Sequence, residues 1–311
     1  IYLFPCPWTI PSDSMDIAHL FLKQCKEQRV DPDVVLQFGR AALKPTATRH
    51  STAGTHQKLG HVVSKDDKDE ATTSGAPAPP QVVLSKHHVL QTPLNDYIPD
   101  GLEKIVLACG CFWGAEKGFW RLPGVHSTAT GYAGGSSQRP TYEEVCSGRT
   151  GHVESVRVVF DPAVIALCDI LRWFWQCHDP TQVDGQGNDC GSQYRSAVYY
   201  SHEEHLPVIL QCRAAYQQAL RANGVSRDIV TEVVRLGSPR LDGGECSFHF
   251  AELAHQQYLA KRGARPYCSA RPLLVQLQWA DVDVHLPPSQ APRLGESFWR
   301  MHAPKAHCAL S

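Results

Sequence analysis

The sequence predicts an α+β fold, a ferredoxin-like split βαβ core in which an antiparallel or mixed sheet is covered by helices. Two observations predict it. Short apolar runs and helically spaced runs alternate in the order β-α-β-β-α-β and then α-β, with turn residues between them. The composition also shifts on both sides of that pattern, which sets off an N-terminal extension (1–98), a folded domain (99–271) and a C-terminal tail (272–311).

Each element has its own signal. Lys104–Cys109 is a continuous apolar run and predicts a buried strand. Gly110-Cys111 is a turn, and from Phe112 to Leu122 the residues Phe112, Ala115 and Phe119 share a helix face that Leu122-Pro-Gly124 ends. Val125–Tyr132 and Val153–Phe160 predict strands, and Ala163–Cys177 an amphipathic helix carrying Ile170, Leu171 and Phe174. Ser196–Tyr200 is the next strand. Ser201-x-x-Glu204 is a capping-box pattern for a helix running to Asn223-Gly224. Ile229–Leu236 is the last strand, and a helix-like piece follows around His249–Lys261 before a long Pro-rich C-terminal coil. In the extension, Asp16–Gln28 has helical spacing, whereas Thr46–Pro80 has the Thr/Ser/Ala/Lys/Asp-rich composition of a disordered linker.

Composition narrows the function. An apolar fraction of 42% with 20% charged residues suits a soluble domain with a real core. A net charge of -1 argues against a nucleic-acid partner or an acidic membrane, and no apolar run approaches the roughly 20 residues of a membrane span. Ile1–Ile10 carries Pro5 and Pro7 without a basic residue and makes a poor signal peptide. The chain opens on Ile1, which fits a fragment, a processed form or a reading frame whose true start is Met15. The twelve cysteines are spread too widely for a disulfide framework and lack paired C-x-x-C elements for zinc. They read as mostly buried thiols in a reducing compartment, which we take to be the cytoplasm, with no metal expected.

The chemistry centres on Gly110-Cys111-Phe112-Trp113-Gly114. A cysteine that leaves a strand and opens a helix meets unpaired N–H groups and the positive end of the helix dipole, which favour a thiolate. Phe112 and Trp113 offer an aromatic surface suited to an S-methyl group. By position alone these residues equally suit a structural cysteine with two core aromatics. Glu154 separates the readings: at the head of the apolar face formed by Val156, Val158 and Phe160, its carboxyl should stay protonated and serve as a general acid. Tyr142, on a loop before that strand, and Tyr194, in the polar stretch Gln186–Ser196, can donate hydrogen bonds to an oxygen. Asp189 lies in the same stretch, where it also suits a turn.

These stretches, with Gly131–Gly135 (GYAGG), Pro140–Glu154 (PTYEEVCSGRTGHVE), Gln186–Ala197 (QGNDCGSQYRSA) and Ala254–Leu259 (AHQQYL), resemble the peptide methionine sulfoxide reductase A family from about Lys104 to Cys268. The resemblance implies reduction of the S epimer of methionine sulfoxide, free or in proteins, by a domain needing no bound cofactor. It implies Cys111 as nucleophile, Glu154 as acid, Tyr142 and Tyr194 as holders of the sulfoxide oxygen, Asp189 as a positioning group, and Phe112 and Trp113 as the methyl pocket. A Cys111 sulfenic acid would be resolved by a second thiol, and the disulfide reopened by a dithiol such as thioredoxin. Cys268 stands where the family places its resolving cysteine, although Pro266 and Pro272 flank it; Cys308 and Cys190 rank behind it. A monomer is expected. Two rival readings stay open: a zinc- or redox-sensing module that has kept the fold, and a peroxidase using the same sulfenic acid.

Overall fold

The computed structural model describes residues 84–282 and 285–305. The helix expected at Asp16–Gln28, the linker at Thr46–Pro80 and Cys308 lie outside the described residues. A small ribbon, β1 (Leu84–Lys86) with β2 (Pro93–Leu94), opens the described chain, and it seats His87 and Leu94 in the core.

The central sheet takes its first two strands from either side of the glycine turn. β3 (Glu103–Cys109) leads through Gly110-Cys111 into α1 (Phe112–Trp120), and β4 (Val125–Ala133) returns. A short helix, α2 (Tyr142–Cys146), precedes β5 (Val153–Phe160), and α3 (Leu167–Gln176) follows it. A two-residue ribbon, β6 (Gly185–Gln186) with β7 (Asp189–Cys190), then leads to β8 (Ser196–Tyr200). α4 (His205–Ala222) crosses to β9 (Glu232–Arg235), and β10 (Phe248–Phe250) closes the far edge.

The strands lie in the order β10-β4-β5-β3-β8-β9. All neighbours are antiparallel except β8 and β9, whose parallel pairing requires the α4 crossover. The sheet is therefore mixed and covered by helices, as expected. β5, in its middle, is buried along its whole length, which takes Glu154 out of water with its apolar neighbours.

Four local expectations need correction. The capping box at Ser201/Glu204 does not form, and α4 starts at His205. Pro207 explains this: a proline has no N–H, so it fits the first turn of a helix but would break one already begun at residue 202. The stretch around Tyr142, expected as a loop, is the helix α2, closed by a genuine capping box in which Thr141 Oγ1 accepts the Glu144 N–H and Glu144 returns the bond. The last strand is shorter than Ile229–Leu236, because the Ile229 and Val230 N–H groups are taken by Gln217 Oε1 and the Pro180 carbonyl. The piece at His249–Lys261 is β10 followed by turns; Gln257 adopts φ 47°, which no α-helix accommodates.

The C-terminal stretch, expected as coil, carries α5 (Glu296–His302). It lies along the outer face of α3, which explains why that helix is buried all round. Arg172 makes a two-pronged ion pair with Glu296 (2.6 and 2.9 Å) and sits 4.6 Å over the Trp299 ring. Asp169 accepts the Arg293 N–H, and Gln176 the Leu277 N–H. No helix among the described residues is long and apolar enough to cross a membrane.

Candidate active site

Cys111 is the N-cap residue of α1, half-buried, directly after Gly110. Gly110 has φ 94°, and a Cβ there would come within 2.7 Å of Gln186, so only glycine makes this turn. The first helical N–H, that of Phe112, donates to Glu154 Oε2 at 3.0 Å. The Glu154 carboxyl thus reaches from β5 to the mouth of the helix that bears the thiol.

Burial pushes Glu154 up to about 8, against the pull of the Phe112 N–H, and the nearby Asp189 charge adds to the rise. Near neutrality the group is a neutral acid, as its place on the strand suggested. The thiol departs from expectation. Burial, and then the Glu154 carboxylate, hold Cys111 well above the usual thiol range; the Trp113 and Gly114 N–H groups pull it down but are outweighed. The helix terminus acts in the expected direction, yet desolvation wins. The resting site is therefore a neutral thiol beside a neutral carboxylic acid.

Tyr142 comes from α2 and Tyr194 from the turn before β8, and in both the hydroxyl is raised by burial first and by the Glu154 carboxyl second. Burial keeps both protonated, hence able to donate. Asp189 sits on β7, where Oδ1 accepts the Tyr267 hydroxyl and Oδ2 is buried without a protein partner. Its ribbon is braced by Gln186, which bonds both the N–H and the carbonyl of Asp179 (3.0 and 2.7 Å).

The neighbours of Cys268 in the chain reach this mouth. The preceding Tyr267 donates its hydroxyl to Asp189 and meets Trp113 edge-on at 6.5 Å. The next residue, Ser269, lies against Gly187, where a Cβ would approach the Ser269 carbonyl to 2.0 Å. Cys190 is exposed on β7. Cys146 is exposed and hydrogen-bonded to the Tyr142 side chain.

Sequence reasoning missed the far wall. Phe112 and Trp113 face His255 (5.3 and 5.8 Å), Trp113 stacks on Tyr258 at 4.1 Å, and Tyr142 lies 4.5 Å from His255. Glu252 accepts the Tyr132 hydroxyl (2.7 Å) and the Tyr142 N–H (2.9 Å). The available signal was AHQQYL, which contains His255 and Tyr258 but was not assigned a role.

Among the described residues, one group brings potential metal ligands together: Cys109, Cys177 and His178, all buried. The two sulfurs are 3.8 Å apart. His178 Nδ1 donates to the Phe174 carbonyl and Nε2 accepts from Ser196 Oγ, both at 2.7 Å, so both ring nitrogens are engaged within the protein. Its bonding is that of a core histidine.

A family model described as peptide methionine sulfoxide reductase matches residues 103–282, more than half of the chain. Peptide methionine sulfoxide reductase MsrA of Azorhizobium caulinodans is 52% identical over 175 residues, covering 56% of this chain and 76% of the relative. The mitochondrial peptide methionine sulfoxide reductase of Bos taurus is 47% identical over 182 residues, covering 58% and 74%. The solved methionine sulfoxide reductase A of Corynebacterium diphtheriae is 40% identical, with a TM-score of 0.54, over 62% of this chain and 89% of that one. The matched span holds the whole of the site just described, and the chain belongs to the peptide methionine sulfoxide reductase family.

Proposed function

We propose that this chain reduces methionine S-sulfoxide, free or in proteins, to methionine, with Cys111 as nucleophile and Glu154 as acid. The observation that carries the reading is the buried, neutral Glu154 carboxyl at the N-terminus of the helix opened by Cys111. A sulfoxide sulfur accepts a nucleophile only as its oxygen gains a proton or strong hydrogen bonds. Glu154 supplies the proton, Tyr142 and Tyr194 donate to the oxygen, and Asp189 orients the substrate. Cys111 sulfur attacks the sulfoxide sulfur, the oxygen passes to Cys111, and methionine leaves. The thiol's own proton reprotonates Glu154, so the step is a thiol and a sulfoxide becoming a sulfenic acid and a sulfide.

Cys268 then condenses with the sulfenic acid, releasing water and leaving a Cys111–Cys268 disulfide; its support is the Tyr267 contact with Asp189 and Trp113. Cys308 and Cys190 rank behind it. A dithiol protein of the thioredoxin class takes over the disulfide by exchange, and no bound cofactor enters any step. We assign catalysis to a domain at 99–271, with an extension at 1–98 and a tail at 272–311. The order β4-β5-β3-β8 is that of a split βαβ, which supports the ferredoxin-like class. We place the chain in a reducing compartment, in our reading the cytoplasm, on its many widely spread cysteines without a disulfide framework, and we read it as a monomer.

The test is a single turnover of pre-reduced protein on a methionine-S-sulfoxide peptide, counting methionine formed and thiols consumed. About one methionine with two thiols lost per chain is expected. Untouched sulfoxide, or faster consumption of peroxide than of sulfoxide, overturns the reading.

A further inference from the structure

His255 stands against the aromatic wall of the site, facing Phe112, Trp113 and Tyr142. The Trp113 indole Nε1–H donates to His255 Nδ1 at 3.1 Å. An indole nitrogen can only donate, so Nδ1 must be the accepting nitrogen and the ring proton sits on Nε2. That edge faces Glu252, with Nε2 3.8 Å from Oε2. Glu252 is itself fixed from two other elements, by the Tyr132 hydroxyl of β4 and the Tyr142 N–H of α2. A continuous chain of polar contacts therefore runs from β4 and α2 through Glu252 and His255 to the indole on α1.

The contacts act on separate freedoms of the indole. The face of Trp113 lies on Tyr258, with ring centroids 4.1 Å apart and planes 23° from parallel, and this holds the ring's plane. Stacking alone leaves a ring free to turn within that plane. The directed bond to His255 removes that freedom, because any such turn swings Nε1 away from its acceptor. Phe112, 5.3 Å from the imidazole, is held beside it.

We infer that His255 is a positioning residue for the apolar wall: by accepting the indole N–H it fixes the angle of Trp113, and so the width of the pocket that takes the sulfoxide's S-methyl group. The inference rests on the proposed reading that Phe112 and Trp113 receive that methyl. It makes His255 a determinant of selectivity between S-methyl and larger S-alkyl sulfoxides, without touching the reacting atoms.

The test uses His255→Leu, which keeps bulk but loses the acceptor, and His255→Asn, whose amide oxygen stands near the former Nδ1. Each is assayed on methionine S-sulfoxide and ethionine S-sulfoxide peptides, and the Trp113 indole N–H resonance, identified with Trp113→Phe, is followed by NMR. His255→Leu should shift that resonance and lower the methyl-over-ethyl ratio of kcat/KM about tenfold, the scale of one methylene in an apolar pocket. The loss should fall mainly on KM for the methyl substrate, and His255→Asn should recover most of both signals. An unmoved resonance overturns the proposal, as does a shifted resonance with an unchanged ratio. If the parent protein reduces neither sulfoxide, the functional reading fails and the selectivity claim falls with it, while the resonance still judges the bond.

Discussion

The Phe112 amide donates to Glu154 Oε2 at 3.0 Å, so the carboxyl that caps the helix bearing the thiol is also the one proposed to supply the proton. The two roles can be separated. In Glu154→Gln the amide oxygen still accepts the Phe112 N–H, but there is no acidic proton. Single-turnover reduction near pH 7 should fall by about 10²-fold or more, the usual contribution of a general acid. Glu154 holds its proton up to about pH 8, so the parent rate should decline above that pH as the acid ionises. The variant should lack this decline, and the gap between the two should narrow at alkaline pH. Parallel pH profiles would make Glu154 structural.

Removing the proposed resolving thiol should leave the first chemical step intact. Cys268→Ser should form about one methionine per chain while consuming one thiol, leaving Cys111 as a sulfenic acid that a dimedone-type probe captures. Cys111→Ser should form none. Two thiols lost in Cys268→Ser would transfer the role to another cysteine.

Glu116 makes stability depend on pH. It is a fully buried residue of α1, to which Gln257 donates from its backbone and side chain (both 2.7 Å) and Thr128 at 3.1 Å. Burial nonetheless pushes it up to about 7 from an ordinary value of 4.5. The folded state therefore keeps a proton that the unfolded chain has released. This contribution is complete below about pH 4.5 and is lost as pH rises through about 7, roughly 3 kcal/mol over the interval. Urea midpoints at about pH 5 and pH 8 should differ less in Glu116→Gln than in the parent; equal differences would refute it.

One of the contacts that fasten the C-terminal segment is a buried charge. Arg172 has a fully buried side chain, whereas its partner Glu296 is nearly half exposed. Glu296→Gln leaves the guanidinium uncompensated and should cost on the order of 2 kcal/mol by denaturant unfolding. Adding Arg172→Met should recover part of that loss, because an apolar side chain of similar length carries no desolvation cost. A double variant weaker than Glu296→Gln alone would mean that the stacking of Arg172 on Trp299 outweighs the ion pair.

The parts of this site legible in the sequence were those encoded within one element. KIVLAC followed by Gly-Cys announced β3, the turn and α1 together, and the alternation in β5 placed Glu154 among apolar residues. What was not legible depends on sums over distant groups. The protonation of Cys111 follows from burial and from a carboxyl 43 residues on, and no local pattern carries that balance. The α2 helix spans only five residues, too few for periodicity, although Thr141 and Glu144 carry a cap signal that forms, whereas the one at Ser201 does not. His255 and Glu252 follow a three-residue strand whose pairing with β4 only the tertiary fold displays.

That pairing depends on Gly131. A Cβ at this position would come within 2.3 Å of the His249 carbonyl and 2.4 Å of the Phe248 ring, so β10 can lie this close only because residue 131 has no side chain. β10 pairs with a single neighbour over three residues, and it delivers the stretch bearing Glu252, His255 and Tyr258. The nucleophile and the acid, by contrast, stand at the centre of the sheet. Reactivity and fit are thus vested in parts of unequal permanence: fraying at one edge would strip the wall from the pocket while leaving the thiol and its acid in place. Such a molecule would remain chemically armed but would no longer discriminate among what it attacks.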